Sequence, residues 1–171
     1  MTDETNPAAD ALSNGAMAVP QVAILAQYVK DLSFENPNAP QSLQMQGQPR
    51  IDINVNVNAR GGGEDMFEVE LKIDATARTA EGDRVAFAVE LLYAGLFRLS
   101  GVPQEAIEPF LVVEAPRILF PFARRVISDC TRDGGFPPLM LEPIDFGSLY
   151  MQQLEARGDG MGGENGIVGN A

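Results

Sequence analysis

Residues 51–59 read Ile-Asp-Ile-Asn-Val-Asn-Val-Asn-Ala, apolar at every odd position and Asp or Asn at every even one. A period of two without exception excludes an amphipathic helix and predicts a strand with one dry face and one wet face. Asn is a poor strand former, so pattern overrides propensity here. The alternation resumes over Met66 to Arg78. Phe67, Val69, Leu71, Ile73, Ala75 and Ala77 face one way; Glu68, Glu70, Lys72, Asp74, Thr76 and Arg78 face the other. Gly61-Gly62-Gly63 with Glu64-Asp65 supplies the turn between the two strands. So much one-sided strand demands a sheet whose dry face is covered by another layer.

The remaining segments supply that layer. Gln21 to Glu35 predicts a long first strand with a bend or bulge inside it. Plain alternation there puts Tyr28, Leu32, Phe34 and the Lys30 stem on one side, and Val29, Asp31, Ser33 and Glu35 on the other. Asn36-Pro37-Asn38-Ala39-Pro40 stops the strand, because proline cannot donate to a ladder. Residues 41–49 form the connection to the second strand. Arg84 to Phe97, after a tight turn at Ala80–Asp83, predicts a fourth strand. Val85, Phe87, Val89, Leu91 and Tyr93 share one face, and Ala86, Ala88, Glu90, Leu92 and Ala94 the other. A strand apolar on both sides is either covered on both or offers an apolar surface to something else.

From Pro103 the period changes to that of a helix. Gln104 to Val113 reads as a short helix. After Pro116, Arg117 to Arg132 reads as the main one, with Ile118, Leu119, Phe122, Val126, Ile127 and Cys130 as its apolar stripe and Gly134-Gly135 as its stop. Phe136 to Pro143 is an apolar loop stiffened by three prolines. Asp145 is placed to cap a last helix, Phe146 to Ala156. The fold class is α+β: a four-stranded antiparallel sheet in meander or Greek-key order, followed by helices packed on one face. The folded domain is expected at 21–156. A small, acidic segment at 1–20 is expected to be disordered, and a glycine-rich tail at 157–171 flexible.

The 171 residues carry a formal charge of −12, which argues against nucleic acid and anionic membranes as partners and favours basic ones. With no histidine and one cysteine, the usual general base and the usual zinc ligand sets are missing. No serine sits in a Gly-x-Ser-x-Gly elbow, and Gly61–Gly63 lacks the Lys and Ser/Thr of a phosphate loop. Cys130, on the helix stripe, reads as structural. No enzyme activity, metal or cofactor is expected. The N-terminus lacks the basic stretch of a secretory signal, and no apolar run is long enough to span a bilayer, so a soluble intracellular protein without direct membrane insertion is expected.

The two-sided fourth strand, the Phe136–Pro143 loop and the last helix carry more apolar surface than a sheet this size requires. They are read either as core and subunit interface, or as a groove that binds extended apolar segments. At this point the chain resembles the SecB family of protein-export chaperones over residues 22–156. The resemblance rests on Tyr28–Pro40, on Tyr93-Ala94-Gly95-Leu96-Phe97, on Ile118-Leu119-Phe120-Pro121-Phe122-Ala123-Arg124 and on Gly135–Phe146, four blocks in the right order. It implies a cytoplasmic homotetramer, a dimer of dimers. Such a protein holds unfolded preproteins without ATP, keeps them competent for translocation and delivers them to the SecA motor. It further implies that the basic, zinc-binding C-terminal tail of SecA docks on Asp31, Glu35, Ala88 and Glu90, with any zinc belonging to SecA. Ala88 is smaller than the apolar residue the family carries there. The precursor groove implied by the resemblance takes in Phe136, Leu139, Met140, Leu141, Phe146, Leu149 and Tyr150. The alternative reading is a SecB-like chaperone dedicated to one client, such as a toxin–antitoxin pair.

Overall fold

The structure is a computed structural model that describes residues 19–80, 83–159 and 167–170. Nearly all of the expected 1–20 segment, and most of the 157–171 tail, lie outside the described residues.

Five strands form one sheet: β1 (Gln21–Glu35), β2 (Arg50–Gly63), β3 (Met66–Arg78), β4 (Val85–Ser100) and β5 (Ile167–Asn170). Their order is β1-β4-β3-β2-β5, with every neighbouring pair antiparallel. β2, β3 and β4 are successive hairpin strands, and β1 lies beside β4 rather than beside β2. That is Greek-key order, one of the two arrangements expected. The short β5 falls within the segment read as flexible tail. Its Ile and Val suit a strand, but four residues between glycine-rich stretches carry no period from which to call one.

The β2–β3 turn follows from its residues. Gly63, Glu64 and Asp65 all take positive φ, the backbone that a tight hairpin between right-twisted strands needs. At the far end of β1, Ser42 Oγ donates to Asn36 Oδ1 at 2.6 Å and Asn38 Nδ2 donates to the Val85 carbonyl at 2.8 Å. The proline-bounded turn is thereby tied to the start of β4.

The helical layer is α1 (Gln104–Pro109), a π turn over Phe110–Glu114, α2 (Ala115–Asp133) and α3 (Phe146–Asp159). The expected break before Pro116 is absent, because a wider turn replaces it. The Ala115 N–H donates to Phe110 O, five residues back, and the extra residue relieves the crowding that the ring of Pro116 brings to the preceding turn. α1 and α2 thus form one run. Asp145 caps α3 as expected, its Oδ1 accepting from Ser148 N–H at 3.0 Å.

The dry face of the sheet holds the residues assigned to it: Val55 and Val57, Val69, Leu71 and Ile73, Val89, Leu91 and Phe97, all almost fully buried. Leu119, Ala123 and Ile127 of α2 cover them. Thr131, fully buried on α2, donates back to the helix carbonyls of Ile127 or Ser128 and accepts from Leu139 N–H at 2.8 Å. That one hydroxyl fixes the proline-rich loop to the helix.

α2 approaches β4 closely at Gly95. A Cβ there would lie 2.7 Å from Leu119 Cδ2 and 2.8 Å from Phe97. The expected effect of Gly95→Val is a loss of about 1–3 kcal/mol by overpacking, read as a lower urea midpoint at unchanged slope. A midpoint equal to the parent's would show that α2 does not press on β4 at this position.

Candidate functional site

Two bulges in β1 decide which side chains reach the wet face of the sheet. The β1–β4 register shifts between Ile24 and Ala26 and again between Val29 and Asp31. Tyr28 therefore pairs with Ala94 and Val29 with Tyr93, whereas Asp31 pairs with Leu92 and Leu32 with Leu91. The assignment of Tyr28 to the side of Leu32 and Phe34 is corrected by this. Each bulge shifts the alternation by one residue, and such a slip flips every side chain beyond it. Tyr28 and Lys30 lie on the wet face, and Val29 moves to the dry one.

From there both side chains reach over Ala94 of β4, which is fully buried beneath them, to acids on β3. Tyr28 OH donates to Glu68 Oε1 at 2.5 Å. Lys30 Nζ lies 2.9 Å from Glu68 Oε1 and 2.5 Å from Glu70 Oε1. Asn58 Nδ2 donates to Glu70 Oε2 at 3.0 Å, and Arg60 of β2 stands 3.4 Å from the same oxygen. One polar network thus spans the four long strands, and its small member, Ala94, is what lets it close.

Farther along the same face the acids outnumber the cations. The register aligns Asp31 with Leu92 and Lys72, Ser33 with Glu90 and Asp74, and Glu35 with Ala88 and Thr76. The structure therefore brings Asp31, Glu35, Ala88 and Glu90 onto one face, as the resemblance implies. Asp31, Glu35 and Glu90 are exposed, and among the described residues none of them has an ion-pair partner. Asp74 belongs to this patch too. It sits directly across from Glu90, pairs with Lys72 at 3.4 Å, and leaves its Oδ1 buried without a hydrogen-bond partner. The alternation in β3 already put Asp74 on the wet face; only the β3–β4 register shows that it meets Glu90.

Along β2, on the helix side, runs a row of three hollows. Ile51 borders a hollow of about 770 Å³ together with Leu43, Met45, Phe87, Phe136 and Leu139. Ile53 and Val55 floor the next, of about 510 Å³, with Met140, Leu141, Ile144 and Leu149. Val57 and Ala59 border the third, of about 590 Å³, with Ile107, Leu111 and Val112. The expected groove residues are thus divided between hollows. Phe136 and Leu139 line the first; Met140, Leu141 and Leu149 line the second. Phe146 is 2% exposed and packs edge-on against Phe120, so it supports the groove from within the core. Tyr150 borders a separate, shallow depression with Gly147, Met151, Gln152 and Glu155. Helical spacing placed Phe146 and Tyr150 near Leu149, but the loop before α3 sets which way the helix turns.

A family model described as preprotein translocase subunit SecB matches residues 15–157. The chain belongs to the SecB family. The protein-export protein SecB of Rhizorhabdus wittichii is 59% identical over 155 residues, covering 91% of this chain and 92% of its own. That of Zymomonas mobilis is 59% identical over 137 residues, 80% of this chain and 82% of its own. That of Sphingopyxis alaskensis is 50% identical over the whole of both chains. In fold, the chain is similar to the Mycobacterium tuberculosis Rv1957 SecB-like chaperone, solved in complex with a ChAD peptide from the Rv1956 HigA1 antitoxin. The TM-score is 0.60 over 72% of this chain and 90% of that one, at 16% identity. Among the described residues no helix is long and apolar enough to cross a membrane.

In this SecB chain the network and the patch differ in electrostatics. The hydrogen bond from Tyr28, then that from Lys30, holds Glu68 below the usual carboxylate range; the Lys30 bond does the same for Glu70, helped by Asn58. The same bonds, Glu70 first and then Glu68, raise Lys30. Partial burial pushes the Cys130 thiol up, and Asp133 and Asp129 add to it, which keeps it protonated and unreactive at neutral pH.

Depressed carboxylates stabilise the fold above their unfolded pKa, about 4.3, and that stability is lost as pH falls through the lower folded values. The urea midpoint is expected to fall between about pH 5 and pH 3, and to fall less steeply in Lys30→Met. An identical pH slope in the variant would mean that the bonds from Lys30 contribute nothing to folding.

Proposed function

We propose that this SecB-family chain is an ATP-independent export chaperone that holds preproteins unfolded and passes them to SecA. The observation that carries the reading is the separation of two surfaces on one sheet. Unpaired Asp31, Glu35 and Glu90 share the wet face; hollows follow β2 on the other side, the middle one chiefly apolar and the third edged by Gln104, Glu108, Gln153 and Arg157 as well as by Val57 and Leu111. The hollows suit chains of many sequences, because Met, Leu and Phe repack around varied side chains. Met140 (59% exposed) is the least constrained of them.

Asp31, Glu35 and Glu90, with the small Ala88 between them, form the docking face for the basic zinc-binding tail of SecA. Like charges at Glu90 and Asp74 repel across the strands, and a bound cation relieves that repulsion. Attraction of this kind speeds encounter and weakens as salt rises. Any zinc belongs to the SecA tail, since among the described residues no cluster of His, Cys, Asp or Glu could hold a metal ion.

A cytoplasmic homotetramer, a dimer of dimers, accounts for surface that the monomer leaves uncovered. β1 is a long edge strand whose Val22, Ile24, Leu25, Val29 and Leu32 are each at least two-fifths exposed, as is Phe122 on α2. An exposed apolar edge of that length requires a partner. The dedicated-client reading draws only on the Rv1957 likeness, which at 16% identity speaks for the fold. The unpaired acids and the 50–59% identical relatives favour the general exporter.

Two measurements test this. A slow-folding preprotein diluted from denaturant should scatter less light when equimolar chaperone is present; an unchanged rise sinks the reading. Asp31→Lys with Glu35→Lys is expected to weaken binding of the SecA tail peptide more than about tenfold at low salt, while suppression of aggregation stays at the parent level. Loss of both activities in an unaltered oligomer would contradict two separate surfaces.

A further inference from the structure

β2 ends the four-stranded sheet, so its outward N–H and C=O groups need a partner or water. In the structure they have a partner from the same chain. β5 pairs with β2 in antiparallel register, Asn54 with Asn170, Val55 with Gly169, Asn56 with Val168 and Val57 with Ile167. Those four β2 residues are not an arbitrary stretch of the edge. Val55 lines the 510 Å³ hollow and Val57 the 590 Å³ one. A segment lying where β5 lies therefore runs beside both hollows.

We propose that the β2 edge is a strand-addition site for extended polypeptide, and that Ile167–Asn170 is its resting occupant, displaced when a client segment binds. This rests on the export-chaperone reading and gives it a binding mode. Main-chain pairing is indifferent to sequence, while hollows beside the edge accept side chains as they come. A protein that must hold many unrelated chains needs that division of labour. The occupant has the composition of such a segment: Gly166-Ile167-Val168-Gly169-Asn170 is short, uncharged and β-branched at its centre. It is also brief enough to leave. Four paired residues make a weak contact, and its tether keeps it at high local concentration. A tail docked about nine-tenths of the time weakens a client's apparent affinity about tenfold, since only the open fraction binds.

The test compares three forms of the full oligomer: the complete chain, a chain ending at Asn165, and a chain with Val168→Pro and Gly169→Pro. Adjacent strand residues point their N–H groups to opposite sides, so two consecutive prolines remove a donor from β2 whichever residue supplies it. Hydrogen exchange without client reads docking, and anisotropy of fluorescein-labelled, reduced and carboxymethylated α-lactalbumin reads client binding. Those amides among Asn54–Val57 that point away from β3 are expected to exchange faster in both altered forms. Both should bind the unfolded probe about three- to tenfold more tightly, and excess synthetic peptide of residues 163–171 should return the truncated form to the parent affinity. Unchanged exchange at β2, or equal probe affinity in all three forms, overturns this inference while the chaperone reading stands. Failure of all three forms to bind the probe removes the chaperone reading and this inference with it.

Discussion

The bulges in β1 are the constraint on which both faces of the sheet depend. Without them the strand would alternate evenly against β4. Tyr28 and Lys30 would then fall on the opposite face from Asp31 and Glu35. The shift at Lys30 puts all four on the wet face, with Leu32 and Phe34 still on the dry one. A charge-balanced network and an anionic patch can then occupy successive parts of one surface. Lys30 is committed to Glu68 and Glu70, so it does not neutralise Asp31 beside it in the chain. The patch keeps its charge because the network consumes the nearest cation.

Much of this was legible in the residues. The unbroken alternation of Ile51–Ala59 and Phe67–Arg78 assigns every side chain of β2 and β3 to the correct face. Asp145 announces the start of α3. What was not legible depends on contacts between distant segments. A bulge at Lys30 leaves no mark on a strand whose neighbours are all acceptable on either face; it is selected by the partners that Tyr28 and Lys30 find on β3. The π turn at Phe110–Glu114 looks, in sequence, like a helix ended by proline, because the packing of Leu111 and Ala115 on the sheet that keeps the helix going is not local. The distribution of Phe136, Leu139, Met140, Leu141 and Leu149 over two hollows follows from Thr131 gripping Leu139 N–H, a hydrogen bond between a helix and a loop eight residues on. Positions 31, 35, 88 and 90 were singled out through family resemblance alone; their charge and spacing are equally those of a solvated strand.

The two edges of the sheet are managed differently. β1 is long, apolar and bare, which suits permanent burial against another copy. β2 carries Asp and Asn on its wet face and is paired, over four residues only, with β5. Asn and Asp discourage the stacking of edges that Val and Ile alone would invite, and a short tail strand shields without sealing. On the proposed readings the first edge serves stable assembly and the second exchange with a client segment.

Energetics then limit how clients can be held. A fully buried aliphatic side chain contributes about 1.5–3 kcal/mol, whereas association costs about 4–15 kcal/mol in lost freedom before ordering is counted. One filled hollow therefore gives no useful affinity. On the proposed reading, three hollows filled by alternate side chains of one extended segment would contribute about 4.5–9 kcal/mol, still within the range of that cost, and repetition over the subunits of the proposed tetramer would carry binding past it. The same arithmetic makes release easy. On the proposed reading a segment would be withdrawn hollow by hollow, breaking one such contact at a time, which suits release without a nucleotide. Selectivity also follows. A folded protein cannot present an extended strand and several free apolar side chains together, so a row of hollows used as proposed would discriminate by state of folding rather than by sequence.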